Sequence, residues 1–123
     1  MPEISETHRR KMEKAFRFDV AQYIAAAAAR RETVTYGDLT REFGGTDRGW
    51  GDTLGGIALR CHKAGWPLLS VLVVSKQTGL PSPDARLYKD LGLNSIDDLL
   101  AAQQHCFTVD WAKTPLASRP SIA

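Results

Sequence analysis

Cysteine is scarce in this chain: Cys61 and Cys106 stand alone among 123 residues, with no CxxC pair. Two isolated thiols are too few for the disulfide framework of a small secreted domain, and they lack the spacing of a zinc or redox motif. An excess of either charge is missing too. Sixteen basic and 14 acidic residues leave a net charge of +2 and a pI near 8.7. No polybasic tail advertises nucleic acid or acidic lipid, so any basic surface has to come from local placement. No apolar run approaches the length of a membrane span, and Met1 to Arg10 is too polar for a signal peptide, so a cytoplasmic protein with reduced thiols is expected. Also absent are a Gly-rich phosphate loop, a Ser-His-Asp set and an acidic pair at glycosidase-like spacing. Neither enzymatic activity nor a cofactor is therefore expected.

What is present suits one globular domain. At 13.5 kDa, with 43% hydrophobic and 24% charged residues, the chain supports one modest core over residues 1–113, followed by a Pro-, Ser- and Ala-rich tail, 114–123, read as disordered. From Glu6 to Arg31, Met12, Phe16, Val20, Tyr23, Ile24 and Ala27 recur at helical spacing and predict one long helix. Its opposite face carries Arg9, Arg10, Lys14 and Arg17, read as solvated, and Arg30 and Arg31 complement the helix end.

The stretch 33–81 is the most informative. Thr35 and Asp38 form a capping-box pattern, starting a short helix through Leu39 and Phe43 that Gly44 and Gly45 stop. Thr46 or Asp47 caps the next helix, which carries Trp50, Leu54, Ile57, Ala58 and Cys61 on one side and ends at Gly65. Two helices so closely joined cross steeply, as in DNA readers. Gly51, Gly55 and Gly56 weaken the second helix, and two reasons stand open: close packing on the first helix, or close approach of a ligand to the backbone. Leu68 to Val74 reads as a buried strand, followed by the polar turn Ser75 to Gly79. Beyond lie a short helix over 84–91, a helix capped by Ser95 and running to about Gln104, and a short strand or extended arm at Phe107, Val109 and Trp111.

Several polar residues carry two readings. Arg48, at a helix start, either joins the free backbone donors in holding a phosphate or pairs with Asp47 or Asp52. Tyr36 either turns its hydroxyl to a nucleic-acid backbone or sits at the core edge. Lys76 on the turn either touches sugar-phosphate or is ordinary turn chemistry. Cys61-His62 and His105-Cys106 together could supply four zinc ligands. Adjacent helical residues, however, point about 100° apart, and buried thiols beside surface histidines are expected, with no metal.

Val34-Thr35-Tyr36-Gly37-Asp38-Leu39, then Arg48-Gly49-Trp50-Gly51-Asp52-Thr53-Leu54, then Pro67 to Val74 with Gly79 beyond, resemble the DNA-binding domain of the DNA alkylguanine transferases and alkyltransferase-like proteins. That family has a Thr-x-Tyr-Gly helix start, an Arg-Ala-Val-Gly-x-Ala-Leu recognition helix and a Pro-Cys/Trp-His-Arg-Val strand leading to a glycine wing. The resemblance covers about Thr33 to Pro81. Leu68, Leu69 and Ser70 stand where the family carries its cysteine or tryptophan, its histidine and its arginine, so alkyl transfer has no nucleophile here. The expected fold is α+β and mostly helical, a winged helix-turn-helix with a C-terminal helical or extended extension. The expected function is non-catalytic binding of duplex DNA, with Arg48, Gly49 and Asp52 at the groove, Tyr36 and Arg41 on phosphate and Lys76 on the wing. The alternative is a protein-interaction module, such as an antitoxin, immunity protein or inhibitor from a mobile element. One continuous basic face would favour DNA, and an exposed aromatic patch including Trp66 or Trp111 a protein partner.

Overall fold

Main-chain hydrogen bonding builds α1 (Glu6–Lys14), α2 (Phe18–Ala29), β1 (Val34–Thr35), α3 (Tyr36–Phe43), α4 (Gly51–Ala64), β2 (Val73–Val74), α5 (Leu87–Asp90) and α6 (Ile96–Cys106). Asp47–Trp50 is a 3₁₀ turn leading into α4, and Leu69–Leu72 another leading into β2. The structure is a computed structural model that describes residues 4–81, 87–111 and Thr114, and for Arg48 the backbone alone. Of the expected tail only Thr114 is described, and the start of the expected helix over 84–91 lies outside the described residues. The fold is mostly helical, as expected. Among the described residues its sheet is one parallel pair, Val34 opposite Val73 and Thr35 opposite Val74.

The single helix expected from Glu6 to Arg31 is broken. Arg17 is extended, at φ −131° and ψ 125°, and splits it into α1 and α2. Packing explains the break: α1 lies on α4 while α2 lies on the Leu69–Leu72 turn, and one straight rod cannot cover both. The extended residue also lets Phe16 and Phe18 meet edge to face, their centroids 4.9 Å apart.

The expected strand from Leu68 to Val74 shrinks to Val73–Val74. A fully buried segment paired along only one edge has to satisfy its remaining backbone groups locally. The 3₁₀ turn does this through Val71 N–H donating to the Leu68 carbonyl at 3.0 Å, and the Gln103 amide donates to the Val71 carbonyl at 3.0 Å. Ser70, the polar residue inside the run, accepts from the buried Tyr88 hydroxyl at 2.8 Å. The arm expected at 107–111 is a turn. Trp111 is buried, donates its indole N–H to the Cys106 carbonyl at 2.8 Å and meets Trp66 edge to face.

The helix ends follow the sequence more closely. Thr35 accepts from Asp38 N–H at 3.0 Å, while Asp38 accepts from Thr35 N–H at 3.0 Å, the reciprocal box that starts α3. Ser95 caps α6 through Asp98 N–H at 3.1 Å. Thr46, in contrast, precedes the Asp47–Trp50 turn without a side-chain capping bond. Gly44 and Gly45, at φ 86° and 83°, end α3.

At the end of α4, Trp66 N–H reaches the Cys61 carbonyl at 2.9 Å across left-handed Gly65. The end of α2 has the same form, Glu32 N–H reaching the Ala27 carbonyl at 2.9 Å, but its left-handed residue is Arg31, at φ 58°. Left-handed backbone costs a residue with a Cβ about 1–2 kcal/mol, and glycine's extra freedom in the unfolded chain offsets part of that relief. Arg31→Gly is therefore expected to stabilise the fold by about 0.5–1 kcal/mol, read as a higher urea midpoint at unchanged m-value.

Candidate nucleic-acid interface

α3, the Gly44 to Thr46 turn, the Asp47–Trp50 3₁₀ turn and α4 make up the segment expected to be a helix-turn-helix, and an aromatic hinge fixes it. The Trp50 indole N–H donates to Thr40 Oγ1 at 3.2 Å, and the Phe43 and Trp50 ring centroids lie 6.1 Å apart. Arg17 spans both rings, its guanidinium carbon 5.4 Å from the Phe43 centroid and 6.0 Å from that of Trp50. Its other edge grips Asp19 with two hydrogen bonds, 3.1 and 2.7 Å. That grip holds the Asp19 carboxyl below its ordinary pKa and the guanidinium above its own. The elbow between α1 and α2 is thereby locked to the junction of α3 and α4.

Every residue of α4 from Leu54 to Leu59 is buried. A recognition helix lying lengthwise in a groove needs an exposed middle, so what α4 offers outward is its last turn, through Arg60, His62 and Lys63, and its start. There the glycines divide into two kinds. A Cβ on Gly56 would collide with the Met12 carbonyl oxygen and lie 3.1 and 3.2 Å from Phe16 N and Cα. A Cβ on Gly55 would press on the Met12 side chain. These two answer to internal packing. Gly51 is exposed and helical, and a Cβ there would meet no atom of the described residues within 4 Å; at Gly49 it would meet, among them, Thr46 Oγ1 at 3.2 Å. Neither has a φ that demands glycine.

The other expected site residues are scattered around this start. Asp52, on the first turn of α4, is turned toward α1: it contacts His8 Nε2 at 3.0 Å and Lys11 Nζ at 3.4 Å. Arg41 is exposed on α3 and pairs with Asp38. The Asp38 carboxyl is held below its usual range, first by the Thr35 backbone N–H and then by the Thr35 hydroxyl and Arg41. Tyr36 opens α3, half-buried, its carbonyl accepting from Thr40 Oγ1 at 3.2 Å. The backbone of Arg48 lies in the 3₁₀ turn beside Gly49. Lys76 is exposed on the turn after β2, which closes through Ser75 N–H to the Leu80 carbonyl and Gly79 N–H to the Ser75 carbonyl, both 2.9 Å. Among the described residues this turn belongs to no antiparallel hairpin. Buried Gln103 donates to the Gly79 carbonyl at 3.3 Å, tying the turn to the core. Sequence reasoning missed Gln103, whose one visible signal is a polar residue inside the buried stripe of α6.

Cys106 donates to the Leu68 carbonyl at 3.5 Å, and Cys61 is wholly buried. Burial pushes both thiols up to about 12. Neither is expected to react with an alkylating reagent at about pH 8 in the native protein, and both should react after unfolding; mass spectrometry of the labelled protein checks this. His62 and His105 come together outside, lining an open groove of about 370 Å³ with Trp66, Leu68, Leu93 and Asp98. Among the described residues, no three of the His, Cys, Asp or Glu side chains are grouped to hold a metal.

No helix of the described residues is long and apolar enough to cross a membrane. Compared with known proteins, the chain matches no family model, no curated protein and no solved structure.

Proposed function

We propose that the protein binds duplex DNA without catalysis, through the start of α4 and the loop around it, in the manner of a helix-turn-helix with the Ser75 to Leu80 turn serving as wing. The observation that carries this reading is the exposed glycine backbone at Gly51. A glycine in open space within or beside a helix costs about 1 kcal/mol against alanine. Where neither φ nor packing requires it, its advantage is that it lets an outside body approach the backbone closely. Backbone N–H groups at a helix start suit phosphate, and Arg48 beside them supplies a guanidinium. Tyr36 and Arg41 flank the loop on α3 and would contact the sugar-phosphate backbone, with Asp38 and phosphate competing for Arg41. Lys76 would reach it from the wing. Asp52 serves by holding α1 through His8 and Lys11, rather than by meeting a base.

The non-catalytic part of the reading is supported by the chemistry at the positions where the resembled family keeps its nucleophile and helpers. Leu68 and Leu69 are apolar and buried, and the Ser70 hydroxyl is wholly buried against Tyr88. The protein-interaction alternative rests on Ile96 and Leu100, exposed one turn apart on α6. Trp111 is buried and contributes no exposed patch.

A fluorescence-anisotropy titration with random-sequence duplex DNA tests the proposal. Binding is expected at low salt and should weaken between about 50 and about 200 mM salt, with a log-log slope of about 0.9 per phosphate contacted. Arg48→Ala should lower that slope by about one unit. An absence of binding at low salt would sink the reading and leave the protein-partner alternative.

A further inference from the structure

We infer that Arg17 is a positioning residue for the duplex site: reaching in from the elbow between α1 and α2, it presets the angle at which the start of α4 meets α3. The inference rests on the DNA-binding reading above and deepens it. A site that uses Gly51 and Arg48 at the start of α4 together with Tyr36 and Arg41 on α3 needs the two helices held at one angle. The chain between them does little to hold it. Gly44 and Gly45 are exposed, at φ 86° and 83°, Thr46 makes no side-chain capping bond, and no side chain caps α4 at Trp50. Backbone bonds tighten each end, Gly44 N–H to the Thr40 carbonyl at 2.8 Å and Gly49 N–H to the Thr46 carbonyl at 3.0 Å, without crossing from one end to the other.

Side chains make the crossing instead. Thr40 and Phe43 of α3 meet Trp50, the residue before α4, through the indole hydrogen bond at 3.2 Å and the edge-to-face ring contact. Tyr23 of α2 touches Phe43, the ring centroids 5.6 Å apart. Arg17 reaches both rings, its guanidinium carbon 5.4 Å from the Phe43 centroid and 6.0 Å from that of Trp50, and so clamps the junction from outside. The clamp has a fixed base. α1 packs on α4 and α2 on the Leu69–Leu72 turn, Asp19 takes two hydrogen bonds from the guanidinium, and Asp19 Oδ1 also accepts from Val20 N–H at 2.9 Å, which ties it to the first turn of α2. The plane of the Arg17 guanidinium is thereby set before any ligand arrives.

With one edge committed to Asp19 and its plane set against the two rings, Arg17 contributes to binding by preorganisation. Loosening the junction leaves the number of phosphates contacted unchanged and adds the cost of ordering α3 against α4 at the moment of binding. Salt dependence and affinity therefore separate. The salt slope counts phosphate contacts, whereas affinity also carries the ordering cost.

The test is the same salt titration with random duplex on Arg17→Ala, Asp19→Asn, Phe43→Leu and the double variant Arg17→Ala/Phe43→Leu, with urea midpoints measured alongside so that only folded protein is compared. Arg17→Ala should weaken binding by about two- to fivefold, the worth of one exposed cation–π contact, at an unchanged salt slope. Asp19→Asn is the sharper arm: it adds a net positive charge, which by itself favours DNA, yet it releases the guanidinium and should weaken binding by about twofold. Phe43→Leu should act like Arg17→Ala, and the double variant should bind no more weakly than the worse single one, because both remove the same clamp. Tighter binding by Asp19→Asn, or a slope lowered by about one unit in Arg17→Ala, would make Arg17 a direct phosphate contact. Affinities equal to wild type, whatever the urea midpoints, would confine Arg17 to the fold, and effects that simply multiply in the double variant would separate it from Phe43. Each of these overturns the inference while DNA binding stands. If the wild-type protein binds no duplex at low salt, both readings fall.

Discussion

Gly56→Ala is expected to cost about 3 kcal/mol or more, lowering the melting midpoint by about 10 °C, whereas Gly55→Ala next to it should be nearly neutral. Both exchanges add the same methyl group to the same helix, and each gains about 1 kcal/mol of helix propensity. They differ in what the methyl meets. At Gly56 the obstacle is backbone, the Met12 carbonyl oxygen with Phe16 N and Cα behind it. A carbonyl inside α1 cannot swing aside, so the helix has to lift off α4, losing the burial of Met12 and the stacking of Phe16 under Arg60. At Gly55 the obstacle is the flexible end of the Met12 side chain, and a thioether repacks cheaply. Thermal unfolding of the two variants checks the contrast. Equal midpoints would mean that α1 does not lie on α4 as described.

Local signals in the sequence carried further than global ones. The capping box at Thr35 and Asp38, the glycine stop at Gly44 and Gly45, the Ser95 start of α6 and the buried side of α4 all form as the sequence predicts, because each is decided within one turn of the chain. The break at Arg17 was hidden, since Met12, Phe16, Val20 and Ile24 keep helical spacing straight through it. Periodicity records that these residues are buried, not that α1 and α2 are buried against different partners. Leu68 to Val74 misled for a related reason. An apolar β-branched run signals burial, but a strand needs a neighbour on each buried edge, and among the described residues only Val34 and Thr35 supply one. At the candidate site the sequence supplied the residues without their partners. Nothing local tells that Asp52 turns toward His8, or that Arg17 reaches Phe43 and Trp50. Nor could the sequence divide three glycines of one helix into two that admit α1 and one that faces open space.

Gly51→Leu should move stability and DNA binding in opposite directions. Gly51 is exposed and helical in backbone, and no atom of the described residues lies within 4 Å of where its Cβ would go. A leucine there meets no steric cost and removes glycine's conformational cost, so the fold should gain about 0.5–1 kcal/mol. If the start of α4 lies directly against the duplex, the same side chain holds the backbone away from the phosphates and lengthens its hydrogen bonds beyond useful range. Affinity should then fall by about tenfold or more, equivalent to about 1.4 kcal/mol, with Gly51→Ala intermediate. Such a pairing separates a contact surface from a structural position, because damage to the fold would lower both quantities together. The measurement is a urea midpoint and a duplex titration on the same preparations of wild type, Gly51→Ala and Gly51→Leu. A leucine variant that is more stable and binds duplex as tightly as wild type would show that the glycine surface is not where DNA docks, whatever the salt dependence of the binding itself.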